Sequence, residues 1–258
     1  MKLDYSGHTI DIGNTMTTVH FFENGVIKKE WKIETHDIIN NHNIISKIEC
    51  LNKFSCTYCS VSPNAENSLI NYSNAYKIKL HNLNSKALSR IKTSYPSPTE
   101  IGHDRISNVI AATSIKKIPC IVIDMGTATT FDIITQENGY EGGIIVPGAQ
   151  GFLDYLGNNT ALLPNLKLKN YKHQNMVGKS TQQAIMIGTL KGYPAMISSL
   201  VDLLLQEINN RIKQAASIIL TGGNNEILDN QSFEKVPNLT SLGLAYSFQL
   251  NLAESISK

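Results

Sequence analysis

Residues 121–132 bring together a carboxylate, a glycine and several hydroxyls, which are groups that proteins use to hold phosphates and cations. Asp124 offers a carboxylate for a cation, and Gly126 allows the backbone to come close to a ligand. Hydroxyls and backbone N–H groups follow at Thr127, Thr129 and Thr130. The apolar residues on both sides predict a strand, a tight turn and a second strand. The segment can therefore hold a phosphate, although a plain hairpin would show the same pattern.

A similar hairpin begins at Asp11. Asp11-Ile-Gly-Asn-Thr15 and Asp124-Met-Gly-Thr-Ala128 both continue through hydroxyl residues and an apolar strand to Glu-Asn-Gly, which ends at Gly25 and at Gly139. Asn-Gly favours a hairpin turn because both residues tolerate positive φ. The repeat predicts a duplication into two domains, residues 1–115 and 116–258, whose phosphate-holding hairpins face each other across a cleft. A chance match of two Asp-x-Gly hairpins is the alternative.

A third candidate segment surrounds Asp104. Two prolines and Gly102 predict an ordered loop over residues 95–105, and the apolar spacing of residues 106–112 predicts a helix after it. Asp104 then has two interpretations: it caps the helix N-terminus, or it is a general base with Arg105 as a neighbouring cation. The chemistry of these residues leaves both interpretations open.

The elements that position these segments alternate between strands and helices in both halves, which indicates an α/β fold. Residues 216–221 predict a buried strand that ends at Gly222 and Gly223. A glycine pair at the carboxyl end of such a strand lets a ligand, for example a nucleotide base, lie against the backbone.

Two helices are predicted in the last third of the chain. The first covers residues 184–209 with a kink or restart at Pro194, and Ser180 or Thr181 is its expected N-cap. The second covers residues 241–256 and closes the chain.

Composition excludes several classes of function. The 258 residues carry a formal charge of +2, with 23 basic and 21 acidic side chains, so neither nucleic acid nor a membrane surface is an expected partner.

Residues 177–181 resemble a Walker loop but lack its first glycine, since His173 stands there. Cys56 and Cys59 have no second cysteine pair to complete a zinc site and are expected to be reduced core thiols. The N-terminus has no charged region followed by an apolar core, and no uninterrupted apolar run approaches membrane-spanning length, so a cytoplasmic protein is expected.

Seven motifs occur in an order that resembles the type III pantothenate kinases, a family within the superfamily of actin-like ATPases and sugar kinases. They are Asp11-Ile-Gly-Asn-Thr15, Gly102-His-Asp-Arg105, Asp124-Met-Gly-Thr-Ala-Thr-Thr130, Gly142-Gly-Ile-Ile-Val-Pro-Gly148, Thr160-Ala-Leu-Leu-Pro164, Gly178-Lys-Ser-Thr181 and Leu220-Thr-Gly-Gly223. Asp-x-Gly hairpins occur throughout the superfamily, whereas Gly-x-Asp-Arg combined with Asp-x-Gly-Thr-Ala-x-Thr is specific to this family. Ser180 departs from the family pattern, in which Asn or Asp is common at that position.

The resemblance implies two ribonuclease H-like (actin-like ATPase) domains, each a mixed sheet with flanking helices, around an interdomain cleft. It implies ATP-dependent phosphorylation of pantothenate to 4'-phosphopantothenate, the first step of coenzyme A biosynthesis. Mg²⁺ would accompany ATP, a monovalent cation (K⁺ or NH₄⁺) would bind as well, and the protein would be a homodimer. The alternatives are a nonenzymatic regulatory or accessory factor on the same fold, and another small-metabolite kinase or phosphatase of the superfamily.

The resemblance also implies roles for individual residues. Asp104 matches the general base that takes the proton from the pantothenate hydroxyl. Pantothenate would be bound by Tyr95, Gly102, His103, Asp104, Arg105 and Thr181. ATP would be bound by Asp11, Ile12, Gly13, Asn14, Thr15, Met16, Thr17, Thr18 and Thr127. Asp124 matches a ligand of the monovalent cation.

Overall fold

The computed structural model describes residues 2–115, 117–168, 176–228, 233–251 and 253–256. Its strands are β1 (Gly7–Ile12), β2 (Met16–Glu23), β3 (Val26–Glu34), β4 (Cys56–Ser60), β5 (Leu80–Asn82), β6 (Cys120–Met125), β7 (Ala128–Thr135), β8 (Gly139–Pro147), β9 (Ser217–Thr221), β10 (Glu234–Lys235) and β11 (Glu254–Ser255). Its α-helices are α1 (Thr35–Asn40), α2 (Pro63–Ala75), α3 (His103–Ser114), α4 (Ala149–Asn159), α5 (Thr181–Ile187), α6 (Tyr193–Ile212) and α7 (Leu239–Gln249). The predicted α/β class is confirmed.

The strands form two mixed sheets. The first has the order β11-β5-β4-β1-β2-β3, and the second has the order β10-β9-β6-β7-β8. In the first sheet, β1 pairs antiparallel with β2 and parallel with β4. In the second, β9 runs parallel to both β6 and β10. Strands β1 and β6, which carry the two predicted phosphate hairpins, therefore lie inside their sheets, and their apolar residues are buried.

The described chain divides into two compact units. Unit 1 contains Met1–Ile118, Asp132–Gly142 and Asn238–Lys258, and unit 2 contains Pro119–Phe131 and Gly143–Pro237. Compact units and duplicated segments need not coincide, so the division into domains 1–115 and 116–258 stays a prediction.

Helix α3 is held in unit 1 by close packing against α7. Ser107 donates a hydrogen bond to the Thr240 carbonyl over 2.6 Å, and Thr240 donates to Asn108 over 3.0 Å. A side chain at Gly243 would collide with the Ser107 carbonyl, so the two helix backbones approach each other where only glycine fits. This contact fixes α3, which carries Asp104 and Arg105 in its first turn.

The long helix predicted over residues 184–209 is interrupted. α5 ends at Ile187, a π-helical turn covers Gly188–Gly192, and α6 begins at Tyr193 with Pro194 in its first turn. The predicted restart at Pro194 is confirmed. Ser180 is the N-cap of α5 and accepts a hydrogen bond from the Gln183 N–H over 3.2 Å, as expected.

The predicted closing helix ends at Gln249, and residues 254–255 form β11 instead.

Within the described residues, Thr181–Ile212 is the one helical stretch long and apolar enough to cross a membrane by length and composition, and 39% of its most apolar window is buried. A core helix of a soluble protein meets the same criteria, so this stretch is weak evidence for a membrane protein.

Candidate functional site

The first hairpin loop, residues 13–15, connects β1 to β2 in unit 1. The Gly13 N–H donates to the Met16 carbonyl over 3.1 Å. Thr35, at the start of α1, donates its hydroxyl to the Gly13 carbonyl over 2.8 Å and its N–H to the Thr15 carbonyl over 2.9 Å. Thr35 therefore holds the loop, a role with no local signal in the sequence because it depends on β3 returning beside β2.

The predicted ATP-binding residues around this loop differ in exposure. Ile12 and Thr17 are each 1% exposed, and the Thr17 hydroxyl lies 3.0 Å from that of Thr35. Their side chains therefore belong to the core and the loop scaffold. Asn14, Thr15 and Met16 are exposed, and Asp11, Gly13 and Thr18 are partly exposed. A phosphate at this loop would meet backbone N–H groups and these partly exposed residues.

Asp11 lies beside Cys59 on the neighbouring parallel strand β4. The Cys59 thiol donates a hydrogen bond to Asp11 Oδ1 with a separation of 3.6 Å. Burial raises the pKa of Cys59 well above its ordinary value, and the nearby carboxylates of Asp11 and Asp104 raise it further. Cys59 is thus a neutral thiol close to two predicted functional carboxylates. The prediction of reduced core thiols is confirmed for Cys56 and Cys59, which are both free and buried.

The structure corrects the capping interpretation of Asp104. α3 begins at His103, Gly102 occupies the N-cap position, and Asp104 lies inside the first turn. Asp104 Oδ1 accepts a hydrogen bond from the Arg105 N–H over 2.8 Å. A Cβ at Gly102 would lie 2.5 Å from the same oxygen, so a larger residue there would displace the Asp104 carboxylate from this position. The carboxylate is partly exposed at a helix N-terminus, where the helix dipole stabilises its charge.

The Arg105 side chain is held by Asp132, which is itself hydrogen-bonded to Tyr140. The sequence pattern had indicated no role for either residue. Its Nε donates to Asp132 Oδ1 over 2.9 Å, and its Nη2 lies 2.7 Å from the same oxygen. The Tyr140 hydroxyl also donates to Asp132 Oδ1, over 3.0 Å. Asp132 is fully buried, and this burial raises the pKa of its carboxyl to about 6, while the Arg105 charge acts to lower it. Asp132 closes the segment of residues 121–132, but its partner Arg105 is distant in sequence.

Tyr95 packs against the same group. Its ring centroid lies 5.7 Å from that of Tyr140. Gly142 has a φ of +115°, and a Cβ there would lie 3.1 Å from the Tyr95 ring, so glycine at this position lets the backbone lie close to Tyr95. Tyr95, Arg105 and Asp104 are therefore brought together in unit 1, as the predicted substrate loop requires.

Two buried polar atoms in this region have no hydrogen-bond partner among the described residues. They are His103 Nδ1 and Asp132 Oδ2. Such atoms are uncommon in folded proteins and each one costs free energy. Their concentration beside Asp104 marks this part of unit 1 as a candidate ligand site.

The second hairpin loop, residues 126–127, lies in unit 2. The Gly126 N–H donates to the Ala128 carbonyl over 3.0 Å, and the Gly148 N–H donates to the Thr127 carbonyl over 2.9 Å. A side chain at Gly148 would collide with the Gly126 carbonyl. Thr127 is exposed on this turn.

Asp124 lies where the ends of β6 and β9 meet, since it pairs in register with Thr221. Gly222 follows with a φ of +89°, and a Cβ there would lie 2.6 Å from Asp124 Oδ1. The Asn224 N–H donates to the Met125 carbonyl over 3.0 Å, which fixes the glycine turn against the loop. The Asp124 carboxylate, the Met125 carbonyl and Gly222 are thus packed closely together. These hard oxygen ligands fit a monovalent cation. Among the described residues, no three or more His, Cys, Asp or Glu side chains cluster as a metal site would require.

Thr129 does not offer its hydroxyl to a ligand. It is fully buried, and its hydroxyl is hydrogen-bonded to that of Tyr193 at the start of α6. The expectation from the residue pattern was wrong here because a strand alternates its faces, and Thr129 points toward α6.

Tyr193 also lines an apolar cleft of about 700 Å³ in unit 2, together with residues from α4, α5 and the π-helical turn. The largest side chains of this α4–α6 cleft are Phe152, Tyr155, Leu156, Ile185, Tyr193 and Met196. Tyr155 is 66% exposed. Thr181 is exposed at the first residue of α5.

Sequence comparison identifies relatives along most of the chain. A family model described as type III pantothenate kinase matches residues 9–203. The type III pantothenate kinase of Pelagibacter ubique is 35% identical over 237 residues, covering 88% of this chain and 90% of the relative. That of Thermosipho melanesiensis is 34% identical over 240 residues, covering 91% and 93%. That of Methylacidiphilum infernorum is 30% identical over 223 residues, covering 86% and 79%.

Solved structures similar to this chain share its fold. A Campylobacter jejuni protein assigned to the Baf family of transcriptional activators superposes with a TM-score of 0.59 at 21% identity, covering 95% of this chain and 98% of that protein. Component A of the (R)-2-hydroxyglutaryl-CoA dehydratase of Acidaminococcus fermentans superposes with a TM-score of 0.51 at 14% identity, covering 93% and 97%. The predicted actin-like ATPase fold is confirmed.

Proposed function

Because the chain belongs to the type III pantothenate kinase family, it is a kinase that transfers phosphate to pantothenate in coenzyme A biosynthesis, and we propose which residues carry out this step. We assign the substrate site to unit 1 and the cation site to unit 2. One observation carries the assignment. The partly exposed carboxylate of Asp104 is held by a hydrogen bond from the Arg105 N–H, and it lies near buried polar atoms that have no hydrogen-bond partner among the described residues.

Asp104 is the general base in this assignment. Its carboxylate orients the pantothenate hydroxyl and takes its proton as the phosphate is transferred. Early proton removal contributes little to a loose phosphoryl-transfer transition state, so orientation of the hydroxyl is the larger part of the role. Tyr95, Gly102, His103 and Arg105 bind pantothenate around this carboxylate. Thr181 binds it from α5, either in its own subunit or in a partner.

Each of the two hairpin loops is assigned a role in binding ATP phosphates. As a kinase of this family, the protein uses ATP with a divalent metal. The transferred phosphoryl group carries concentrated negative charge, and preorganised backbone N–H groups stabilise it without further rearrangement. Asn14, Thr15 and Thr127 are assigned to supply such groups, on turns fixed by Thr35 and Gly148 respectively.

Asp124 holds the monovalent cation, K⁺ or NH₄⁺. Its carboxylate and the nearby Met125 carbonyl supply oxygen ligands. A bound cation would add positive charge near the phosphate-binding turn. Asp124 orients this charge relative to Thr127, which follows three residues later in the hairpin loop after β6.

The protein acts as a cytoplasmic homodimer, with the α4–α6 cleft as the contact between copies. The cleft is apolar, and Tyr155 and Phe152 project from it with exposed fractions of 66% and 36%. Exposed apolar patches of this kind are characteristic of protein interfaces, and aromatic residues are enriched there. A second copy is the occupant that the family resemblance implies.

The assignment is tested with purified protein, ATP, Mg²⁺, K⁺ and pantothenate, following formation of 4'-phosphopantothenate. Asp104→Asn is expected to keep the melting temperature of the wild type and to lose turnover by roughly 10²- to 10⁴-fold, the usual contribution of a positioned general base. Glu100→Gln, in the exposed 3₁₀ turn before α3, is the matched control. Full activity of Asp104→Asn would assign Asp104 a structural role only.

A further inference from the structure

Tyr140 connects two segments of the proposed pantothenate site that are separated in sequence. Its carbonyl accepts hydrogen bonds from the Ser94 N–H over 3.0 Å and from the Thr93 hydroxyl over 2.9 Å, and its N–H donates to the Lys92 carbonyl over 3.0 Å. The backbone of residues 92–94 is thereby fixed to the start of β8, immediately before Tyr95.

The side chain of Tyr140 reaches the other segment. Its ring packs against Tyr95, and its hydroxyl donates to the Asp132 oxygen that also accepts from Arg105. Asp132 is fully buried and the Arg105 side chain is 12% exposed, so both groups are largely removed from water. A charge-assisted hydrogen bond in such surroundings is strong and directional.

Burying a carboxylate is costly unless its charge is compensated. Asp132 gains its compensation from one arginine and one tyrosine, and all three of its described contacts use the single oxygen Oδ1. Removing the Tyr140 hydroxyl would leave Arg105 as the only described donor to that oxygen. The direction of the guanidinium group therefore depends on a residue that is 35 positions away in the sequence.

We propose that Asp132 and Tyr140 are positioning residues, which set the orientation of Arg105 and Tyr95 together and so prealign the pantothenate site. This inference rests on the proposed assignment of Arg105 and Tyr95 to pantothenate. Neither Asp132 nor Tyr140 touches substrate in it. Both act through the residues that do, and the site is formed before the substrate arrives.

The test is steady-state kinetics of Tyr140→Phe, which removes one hydroxyl and keeps the ring. The pantothenate KM is expected to rise roughly three- to tenfold, with kcat and the ATP KM within about twofold of wild type, because only substrate positioning is loosened. Asp132→Asn is expected to change the pantothenate KM in the same direction. Tyr5→Phe is the matched control, since Tyr5 is a buried tyrosine of unit 1 whose hydroxyl donates to the His8 carbonyl over 2.8 Å.

A second comparison separates positioning from general destabilisation. In an Arg105→Gln background, Tyr140→Phe is expected to raise the pantothenate KM by a smaller factor than in the wild type, because the group it orients is absent. The inference would be overturned if Tyr140→Phe left the pantothenate KM unchanged, or if it raised that KM by the same factor in both backgrounds. In either case the proposed site would still stand, provided that Arg105→Gln alone raises the pantothenate KM. If Arg105→Gln leaves the pantothenate KM unchanged, the proposed site fails and the inference with it.

Discussion

The Cys59 thiol donates a hydrogen bond to the Asp11 carboxylate from the neighbouring strand, with Sγ 3.6 Å from Oδ1. The parallel register of β1 and β4 places the two residues side by side. Because the raised pKa of Cys59 keeps the thiol protonated, it remains a donor throughout the physiological pH range. The neutral Cys59 thiol therefore orients one carboxylate oxygen of Asp11, two residues before the first hairpin loop.

Cys59→Ala should weaken ATP binding more than it weakens folding. Loss of one weak donor to a carboxylate is worth about 1 kcal/mol, so the ATP KM is expected to rise about fivefold with kcat little changed. Cys56→Ala is the control, because Cys56 is equally buried on the same strand but its thiol donates to the Leu51 carbonyl. Equal ATP KM values for the two variants would exclude an orienting role for Cys59. The measurement is initial rate against ATP concentration at saturating pantothenate.

Local pattern predicted both hairpins, the helix after Asp104 and the restart at Pro194, because each depends on residues within one or two turns of the chain. It missed Thr35, Cys59, Asp132 and Tyr140 as parts of the site. Each acts through a partner on another element: Cys59 meets Asp11 across a parallel strand pair, and Asp132 meets Arg105 through the β7–β8 hairpin. Sequence spacing does not show which strands will be neighbours, so these contacts required the structure.

The position of Asp104 shows a different limit. An aspartate before an apolar helix resembles an N-cap, and here a helix start two residues earlier places Asp104 in the first turn instead. The structure begins α3 at His103, since Gly102 takes the cap position where a side chain would meet the Asp104 carboxylate. The carboxylate is therefore not used to cap the helix as an N-cap residue would be.

Acid should destabilise the protein through its buried histidines. Burial lowers the pKa of His8 from 6.5 to about 4, and it also lowers the pKa values of His20 and His81. The folded chain therefore takes up protons on these rings at a lower pH than the unfolded chain, in which they are taken up around pH 6.5. This stabilisation is complete above that pH and is lost as the pH falls toward 4, with His8 contributing about 2 kcal/mol of the loss between pH 7 and pH 5.

Urea unfolding at pH 7 and pH 5 measures this dependence. His8→Phe is expected to unfold with a smaller difference in free energy between the two pH values, because His8 lies among the rings of Phe21, Trp31 and Phe54 and its Nδ1 has no described partner. His36→Gln, at an exposed position on α1, serves as the control. If His8→Phe keeps the full pH dependence of the wild type, the loss of stability arises elsewhere.

Removing the monovalent cation should reproduce the effect of losing Asp124. With K⁺ replaced by tetramethylammonium, wild-type kcat/KM is expected to fall by at least about tenfold, equivalent to about 1.4 kcal/mol of transition-state stabilisation. Asp124→Ala should be slow in both salts. Asp154→Ala is the control carboxylate of unit 2, paired with Lys167 at 3.6 Å, and should keep the K⁺ response. Undiminished K⁺ stimulation of Asp124→Ala would place the cation at other ligands.

Charge introduced into the α4–α6 cleft should separate the two copies of a homodimer. Tyr155 is 66% exposed in the single chain and lines the cleft, so Tyr155→Glu would bury an unpaired carboxylate wherever a second copy covers it. Light scattering after gel filtration is expected to give twice the chain mass of 28.5 kDa for the wild type and the single-chain mass for the variant. Tyr76→Glu, at a 55% exposed tyrosine of unit 1, controls for the added charge and should remain dimeric. A dimeric Tyr155→Glu protein would show that the copies meet through another surface, and a monomeric wild type would remove the dimer altogether.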